Sequence, residues 1–188
     1  MITPILFFTS TLFLWNALYF FKVNSTVHRL SALVLFTASS VYLGMGILSF
    51  IEPGIGLRPL RYIDWIITVP IMLYQMVWLS DNSSWKSLPY PSITSLFMLA
   101  CGYLGEVGII DKLYAGIFGT FFAIFTFLPL LNQIDKRTNK IYFMTMVGWM
   151  FYPTVYFISD SVTIISLYSI VDIIVKLGFA HYLYKKLA

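Results

Sequence analysis

The chain has 188 residues, of which 59% are hydrophobic and 11% are charged, and its formal net charge is +4. Charged residues make up about 25% of an ordinary soluble domain, so this composition excludes that class and indicates a multi-pass membrane protein. One cysteine, Cys101, excludes disulfides within the chain, and no metal site is expected. Most of the excess positive charge lies in predicted loops, where membrane topology explains it, so nucleic-acid binding is rejected.

Seven apolar stretches follow one another, and each is long enough to cross a bilayer as a helix of about 20 residues. We place these spans at 2–21, 29–51, 58–79, 89–110, 112–131, 140–159 and 162–184. Their short connections predict antiparallel neighbours, and therefore one all-α seven-transmembrane helix bundle over residues 1–188. Because Met1 leads directly into the first span without a basic region, we expect that span to insert uncleaved.

Lysine and arginine residues collect at one set of span ends. Only Arg58 and Lys112 mark the other set, whereas the first contains Lys22, Arg29, Lys86, Lys136, Arg137, Lys140, Lys185 and Lys186. Since positively charged loops stay in the cytoplasm, we expect an extracellular N-terminus and a cytoplasmic C-terminus in the cell membrane. Aromatic residues at predicted span ends fit interfacial anchors: Trp78, Trp85, Tyr90, Tyr182 and Tyr184.

Lys176 lies within the seventh predicted span, four residues after Asp172. An ionisable side chain at that depth costs about 2.5–3.5 kcal/mol, so it requires a partner or a function. The i, i+4 spacing places both residues on one helical face. This arrangement fits either a structural ion pair or a reactive lysine that condenses with a carbonyl ligand as a Schiff base, and the spacing alone leaves both interpretations open.

The third span, RYIDWIITVPIMLYQMVWLS, brings Arg61, Asp64 and Thr68 onto one face through their i, i+3, i+7 spacing. Its two charges and those of the seventh span can form a neutral buried quartet. Both carboxylates are predicted to lie on the extracellular side of the lysine, so a proton that leaves the lysine nitrogen would move outward. On the cytoplasmic side the third span has Gln75, whose amide cannot donate a titrating proton.

Proton uptake from the cytoplasm would then depend on water or on more distant groups, and we expect it to be slow. The candidate groups are His181, His28 and Asp81, although His181 is better explained as a polar residue near the membrane interface. Glu106, near the outer end of the fourth span, is interpreted as an interfacial or interhelical hydrogen-bonding group. Asp160 is interpreted as a plain loop carboxylate in preference to a member of a proton-release network.

The ordered set of these segments resembles the microbial (type 1) rhodopsins. The resemblance is carried by the third span, by GWMFYPTVYF in the sixth, and by DIIVKLGF in the seventh. CGYLGEVG in the fourth span looks most like the branch of proteorhodopsin and xanthorhodopsin. The similarity extends over all seven spans in order, and it is strong in the third, fourth, sixth and seventh.

The resemblance implies all-trans retinal bound covalently to Lys176 as a protonated Schiff base. It implies that Asp64 and Asp172 are the counterions, with Asp64 the primary proton acceptor, Thr68 its hydrogen-bond partner and Arg61 the gate toward the outside. The walls around the chromophore would be Tyr62, Trp65, Met72, Leu104, Gly108, Trp149, Tyr152, Pro153 and Tyr156, with Cys101 nearby. The apolar Met72 goes with green rather than blue absorption in proteins of the proteorhodopsin type.

The chain also departs from the family pattern. Pumps of this family usually carry Asp or Glu where this chain has Gln75, and the second span lacks the histidine that many proteorhodopsins pair with the acceptor. The candidates in its place are Ser40 and Tyr42. An acid at position 64 disfavours chloride pumping, and the sodium-pump pattern, which has Asn there and Asp at position 68, is absent.

The leading functional prediction is therefore a light-driven outward proton pump with a slow photocycle, and not an enzyme. Its partners would be the lipid bilayer, the transported protons and further copies of the chain in a trimer or pentamer. The alternatives are a sensory photoreceptor, which a slow cycle suits, a light-gated ion channel, and a retinal-free helical bundle with a structural ion pair between Asp172 and Lys176.

Overall fold

The structure, a computed structural model, describes residues 2–53, 56–79, 90–131, 138–158 and 160–187. Over these ranges the secondary structure is entirely helical, which confirms the predicted all-α seven-helix bundle. The helices are α1 Thr3–Phe21, α2 Thr26–Ile51, α3 Arg61–Leu79, α4 Tyr90–Glu106, α5 Lys112–Leu131, α6 Asn139–Tyr156 and α7 Ser161–Leu187. The predictions made for Asp81, Trp85, Lys86, Lys136 and Arg137 lie outside the described residues.

Apolar side chains cover the outside of the bundle. Within the described ranges, α1, α2, α3, α5 and α7 are long and apolar enough to cross a membrane. Large side chains such as Phe8, Trp15 and Phe50 are exposed on these helices, as expected for contact with lipid. The charged residues at the middle of the bundle are instead buried: Arg61 and Asp64 of α3, and Asp172 and Lys176 of α7.

The fourth helix ends earlier than predicted. We expected the span to continue to residue 110, but α4 ends at Glu106 because Gly108 adopts a positive φ of 76°. The amide of Ile109 donates to the carbonyl of Leu104 at 2.9 Å, and the amide of Gly108 donates to the carbonyl of Gly105 at 3.3 Å. This pair of bonds is a Schellman motif, which satisfies the last carbonyls of the helix.

The seventh helix contains a π-helical turn that the sequence did not predict. Helix α7 begins after Asp160, whose carboxylate accepts a hydrogen bond from the Thr163 amide at 2.8 Å. Hydrogen bonding from Thr163 holds the pKa of Asp160 below its usual value. Regular α-helix continues to Asp172, and residues Ile173–Leu177 then form the π turn. Such turns are frequent at functional sites, and this one contains Lys176.

Three charged residues link the helix ends on the side of the bundle where α3, α5 and α7 begin. Arg58 pairs with Glu106 at 2.6 Å, and Lys112 approaches the same carboxylate at 3.7 Å. Arg58 also donates to the carbonyls of Tyr156 at 3.1 Å and of Ile158 at 3.3 Å. We call Arg58, Glu106 and Lys112 the outer latch. Of the two interpretations given for Glu106, interfacial or interhelical, its hydrogen bond to Arg58 favours the interhelical one.

Candidate functional site

Lys176 lies at the centre of the bundle, and its side chain is only 3% exposed. Its amine forms an ion pair and hydrogen bond with Oδ2 of Asp64 on α3. The Oδ2 atom of Asp172, one turn earlier on α7, lies 3.6 Å from the same nitrogen. The predicted spacing therefore does place both residues of α7 on one face, and α3 supplies the nearer carboxylate.

Asp172 is surrounded by hydrogen-bond donors. Its Oδ2 accepts the hydroxyl of Tyr42 at 2.8 Å and the Arg61 guanidinium at 3.1 Å, while its Oδ1 accepts the hydroxyl of Tyr152. Arg61 also donates to the Tyr42 oxygen at 2.9 Å. The two carboxylates thus meet Lys176 and Arg61 in the interior as the predicted neutral quartet. Buried charges are tolerated when they are paired and hydrogen-bonded in this way.

Asp64 has a different environment. Its Oδ2 is held by the amine of Lys176, but its Oδ1 is buried and has no hydrogen-bond partner in the described part of the chain. The predicted bond from Thr68 to this carboxylate is not formed. The Thr68 hydroxyl donates instead to the backbone carbonyl of Asp64 at 3.0 Å, one turn back on the same helix, as Ser and Thr side chains in helices commonly do.

The position of Arg61 is fixed by aromatic rings as well as by Asp172. Its guanidinium lies 4.6 Å from the ring centre of Tyr168, 5.1 Å from that of Trp65 and 5.5 Å from that of Tyr42. Tyr168 was not predicted as a site residue, although it precedes Asp172 by four residues and therefore shares its face. Arg61 is directed toward Asp172 and these rings, on the side of the lysine nearer the outer latch.

Most of the predicted chromophore walls lie in the interior of the bundle. Trp65 packs against Tyr152 at a centroid distance of 4.9 Å and against Tyr62 at 5.2 Å. The predicted residues that are buried or half-buried are Tyr62, Trp65, Met72, Leu104, Trp149, Tyr152 and Tyr156, as is the neighbouring Cys101. Their role as walls stays a prediction.

Two predicted wall residues have different surroundings. Pro153 is exposed in α6, and Gly108 is exposed in the turn that follows α4 instead of lying within the helix. The glycines of α4 that pack against aromatic side chains are Gly102 and Gly105, where an added Cβ would collide with the hydroxyls of Tyr62 and Tyr156 respectively. The sequence motif contains all three glycines, and only the end of the helix distinguishes Gly108 from the other two.

Gln75 lies on the other side of Lys176, away from the outer latch. Its amide nitrogen donates to the carbonyl of Val27 and to the hydroxyl of Ser31, both at 2.9 Å, so it links α3 to the start of α2. Its Oε1 is buried without a partner among the described residues. A cavity of about 30 Å³ adjoins it, lined by Thr26, Val27, Leu30, Tyr74, Gln75 and Trp78.

The residues around Lys176 fit a covalently bound polyene aldehyde such as retinal. The lysine supplies a buried primary amine, the two carboxylates can neutralise the cation that condensation leaves, and Asp64 Oδ1 has free accepting capacity. Flat rings from α3 and α6 lie beside them. Within the described ranges, no group of three or more His, Cys, Asp or Glu side chains is arranged to hold a metal ion.

Comparison with known proteins identifies the family of this chain. A family model described as "Bacteriorhodopsin-like protein" matches residues 2–187. A green-light absorbing proteorhodopsin of gamma-proteobacterium EBAC31A08 is 28% identical over 123 residues, which are 57% of this chain and 49% of that protein. The chain therefore spans about half the length of this curated relative. Sensory rhodopsin III of Haloarcula marismortui is 23% identical over 193 residues, covering 92% of this chain and 83% of that protein.

Among solved structures, xanthorhodopsin, described as a light-driven ion pump with dual chromophore, superposes with a TM-score of 0.85. The superposition covers 98% of this chain and 91% of that one at 19% identity. A likeness at this level of identity shows a shared fold.

Proposed function

Since the chain belongs to the bacteriorhodopsin-like family, we propose that it is a retinal-binding, light-driven outward proton pump of the cell membrane. The family consists of multi-pass integral membrane proteins, and the apolar helices of this chain agree with that class. The observation that carries the proposal is the buried amine of Lys176 in direct contact with Asp64. When bound at Lys176, retinal would supply light absorption and a photoisomerisation that alters how strongly the lysine nitrogen holds its proton.

The hydrogen bonds of the two carboxylates support different roles for them. Asp172 accepts hydrogen bonds from Tyr42, Arg61 and Tyr152. Several hydrogen-bond donors around a carboxylate stabilise its charged form. Asp172 therefore acts as a permanent counterion. Asp64 has a free oxygen and is the nearer neighbour of the amine, so it acts as the proton acceptor.

The position of the acceptor gives the transfer its direction. Asp64 lies in the first turn of α3, whereas Lys176 lies about four turns into α7, which begins at the same end of the bundle. A proton that passes from the lysine nitrogen to Asp64 therefore moves toward the outer latch, the end predicted to be extracellular. Arg61 lies beside this route and can stabilise the charge left on Asp172 while Asp64 is protonated.

Reprotonation is the slow part of the proposed cycle. Gln75 occupies the inner side of Lys176, and its amide holds the start of α2 but carries no titrating proton. The lysine nitrogen therefore depends on water, or on a group farther inward, for its next proton. A slow photocycle follows from this arrangement.

The test is a light-induced pH measurement. The protein would be expressed with all-trans retinal and illuminated in an unbuffered cell suspension, with and without a protonophore. We expect acidification that the protonophore abolishes, and no response from Lys176→Ala, which should also lack the visible absorption band. A coloured wild-type protein that leaves the external pH unchanged would contradict the pump.

The second candidate function is a sensory photoreceptor, which the slow recovery expected from Gln75 favours, since its amide carries no titrating proton. The similarity to a sensory rhodopsin over most of the chain agrees with it. A sensor would give the visible band without transport. A light-gated channel, in contrast, would give a photocurrent that reverses sign with the membrane potential, whereas the current of a pump keeps its sign.

A further inference from the structure

His28 is a buried titratable side chain that the site around Lys176 does not use. It is the third residue of α2 and is 2% exposed, and neither ring nitrogen has a hydrogen-bond partner in the described part of the chain. Its ring stacks on Phe20 of α1 at a centroid distance of 6.4 Å, and the edge of Tyr184 of α7 packs on it at 5.5 Å. Burial of a polar ring without hydrogen bonds is costly, so packing alone does not explain this histidine.

The other histidine of the chain provides the contrast. His181 is exposed on α7, and its Nδ1 lies 2.9 Å from the carbonyl of Leu177. Phe20 separates it from His28, since the same ring also packs on His181 at 5.1 Å. The described titratable group in contact with the His28 ring is Tyr184, which is half-buried and reaches the exposed Tyr19. One side chain thus separates the imidazole from the inner surface.

His28 is close in sequence to the polar groups that hold Gln75. Ser31 follows it by three residues, about one turn deeper on the same side of α2. The Ser31 hydroxyl and the Val27 carbonyl are the two acceptors of the Gln75 amide. The cavity beside Gln75 measures about 30 Å³, and roughly 10–15 Å³ is enough for one water molecule. The Oε1 atom of Gln75, which has no partner among the described residues, offers such a water an acceptor.

We propose that His28 is the relay that takes protons up from the inner surface and passes them toward Lys176 by way of water held at Gln75. One ring nitrogen accepts a proton from inner-surface water. The other nitrogen then releases its own proton toward the water beside Gln75, from which the lysine nitrogen is reprotonated, and the imidazole returns to its neutral form. Histidine is suited to this step because its charge changes between pH 5 and 8. This inference rests on the pump proposed above.

The experiment compares His28→Gln and His28→Phe with His181→Gln in retinal-loaded membranes. A pH-indicator dye follows proton uptake after a flash, from pH 5 to pH 9. We expect uptake by the wild type to change with pH around the titration of an imidazole. Both His28 variants should slow uptake by about tenfold or more and remove this inflection, and imidazole added to the medium should restore the rate. His181→Gln should behave as the wild type.

A second measurement does not depend on the photocycle. Nuclear magnetic resonance of histidine-labelled, retinal-free protein should show two titrating imidazoles, and His28→Gln should remove the one that is shielded from bulk solvent. Unchanged uptake and an unchanged inflection in both His28 variants of a wild type that pumps would overturn the relay alone. Slower uptake that keeps its inflection and is not rescued by imidazole would also overturn it, since only packing would then be lost. A wild type that does not pump would overturn the proposed function, and the relay with it.

Discussion

Asp64 and Asp172 both face Lys176, but their other neighbours give the two carboxylates different hydrogen-bond environments. The buried charges of Lys176 and Arg61 balance the two carboxylates, so each charge depends on the others for compensation. Removing one member of such a set leaves an unpaired charge in a medium that solvates it poorly. The site should therefore be sensitive to a single deletion and more tolerant of a matched pair.

This dependence gives a prediction for the retinal-free protein. Lys176→Ala should lower the free energy of unfolding by about 3–5 kcal/mol, because Asp64 is left buried beside Asp172 with no cation of its own. Adding Asp64→Asn should recover part of that loss. Titration with a denaturing detergent, followed by circular dichroism, measures both. The control is Lys185→Ala, at an exposed lysine of the same helix, and equal stability of single and double variants would contradict the argument.

The charged residues of the site could be predicted from the sequence, and their contacts only in part. Lys176 and Asp172 could be predicted because they are only four residues apart in one helix, and because burying an ionisable side chain in a membrane costs much free energy. Whether Ser40 or Tyr42 reaches the site depends on the rotation of α2, which the sequence left open. The structure buries Tyr42 against Asp172 and leaves Ser40 exposed. The contact of Arg61 with Tyr168 likewise requires the packing of α3 on α7.

At the scale of the element, the π turn of α7 determines the position of the Lys176 side chain. The turn packs against α6 at Gly148, where an added Cβ would collide with the side chain of Val175. Val175 is itself buried, so it has little room to move. The seven spans could be predicted from their apolar length, but the π turn could not, because it depends on this close approach of two helices.

Gly148→Ala should therefore displace the π turn and with it the amine of Lys176. We expect a shifted absorption maximum and a lower yield of the retinal-loaded protein, both measured by visible spectroscopy after reconstitution. Gly44→Ala is the matched control, since an added Cβ at Gly44 of α2 meets nothing within 4 Å. Identical spectra and yields for the two variants would show that the contact with Val175 does not control the position of the lysine.

At the scale of the whole molecule, the outer latch joins parts of the chain that are distant in sequence. Arg58 precedes α3, Glu106 ends α4 and Lys112 begins α5. The carbonyls that Arg58 binds belong to Tyr156, the last residue of α6, and to Ile158, just after it. From the sequence, Glu106 is predicted as an interfacial or interhelical group, but its partner is not predicted, because Arg58 was considered only as a marker of topology. The latch closes the end of the bundle toward which the proposed proton transfer leads.

Glu106→Gln should loosen this end, because a neutral amide replaces the carboxylate that pairs with the charges of Arg58 and Lys112. The pair is largely buried, with side-chain exposures of 12% and 8%, so we expect a loss of about 1–3 kcal/mol in the free energy of unfolding. Glu52→Gln, at an exposed carboxylate after α2, is the control and should change little. Salt separates the two explanations of any effect: an exposed pair is screened at 1 M salt, whereas a buried pair is screened much less. The loss should therefore persist at high salt, and an effect that disappears there would mean that the latch acts only as a surface ion pair.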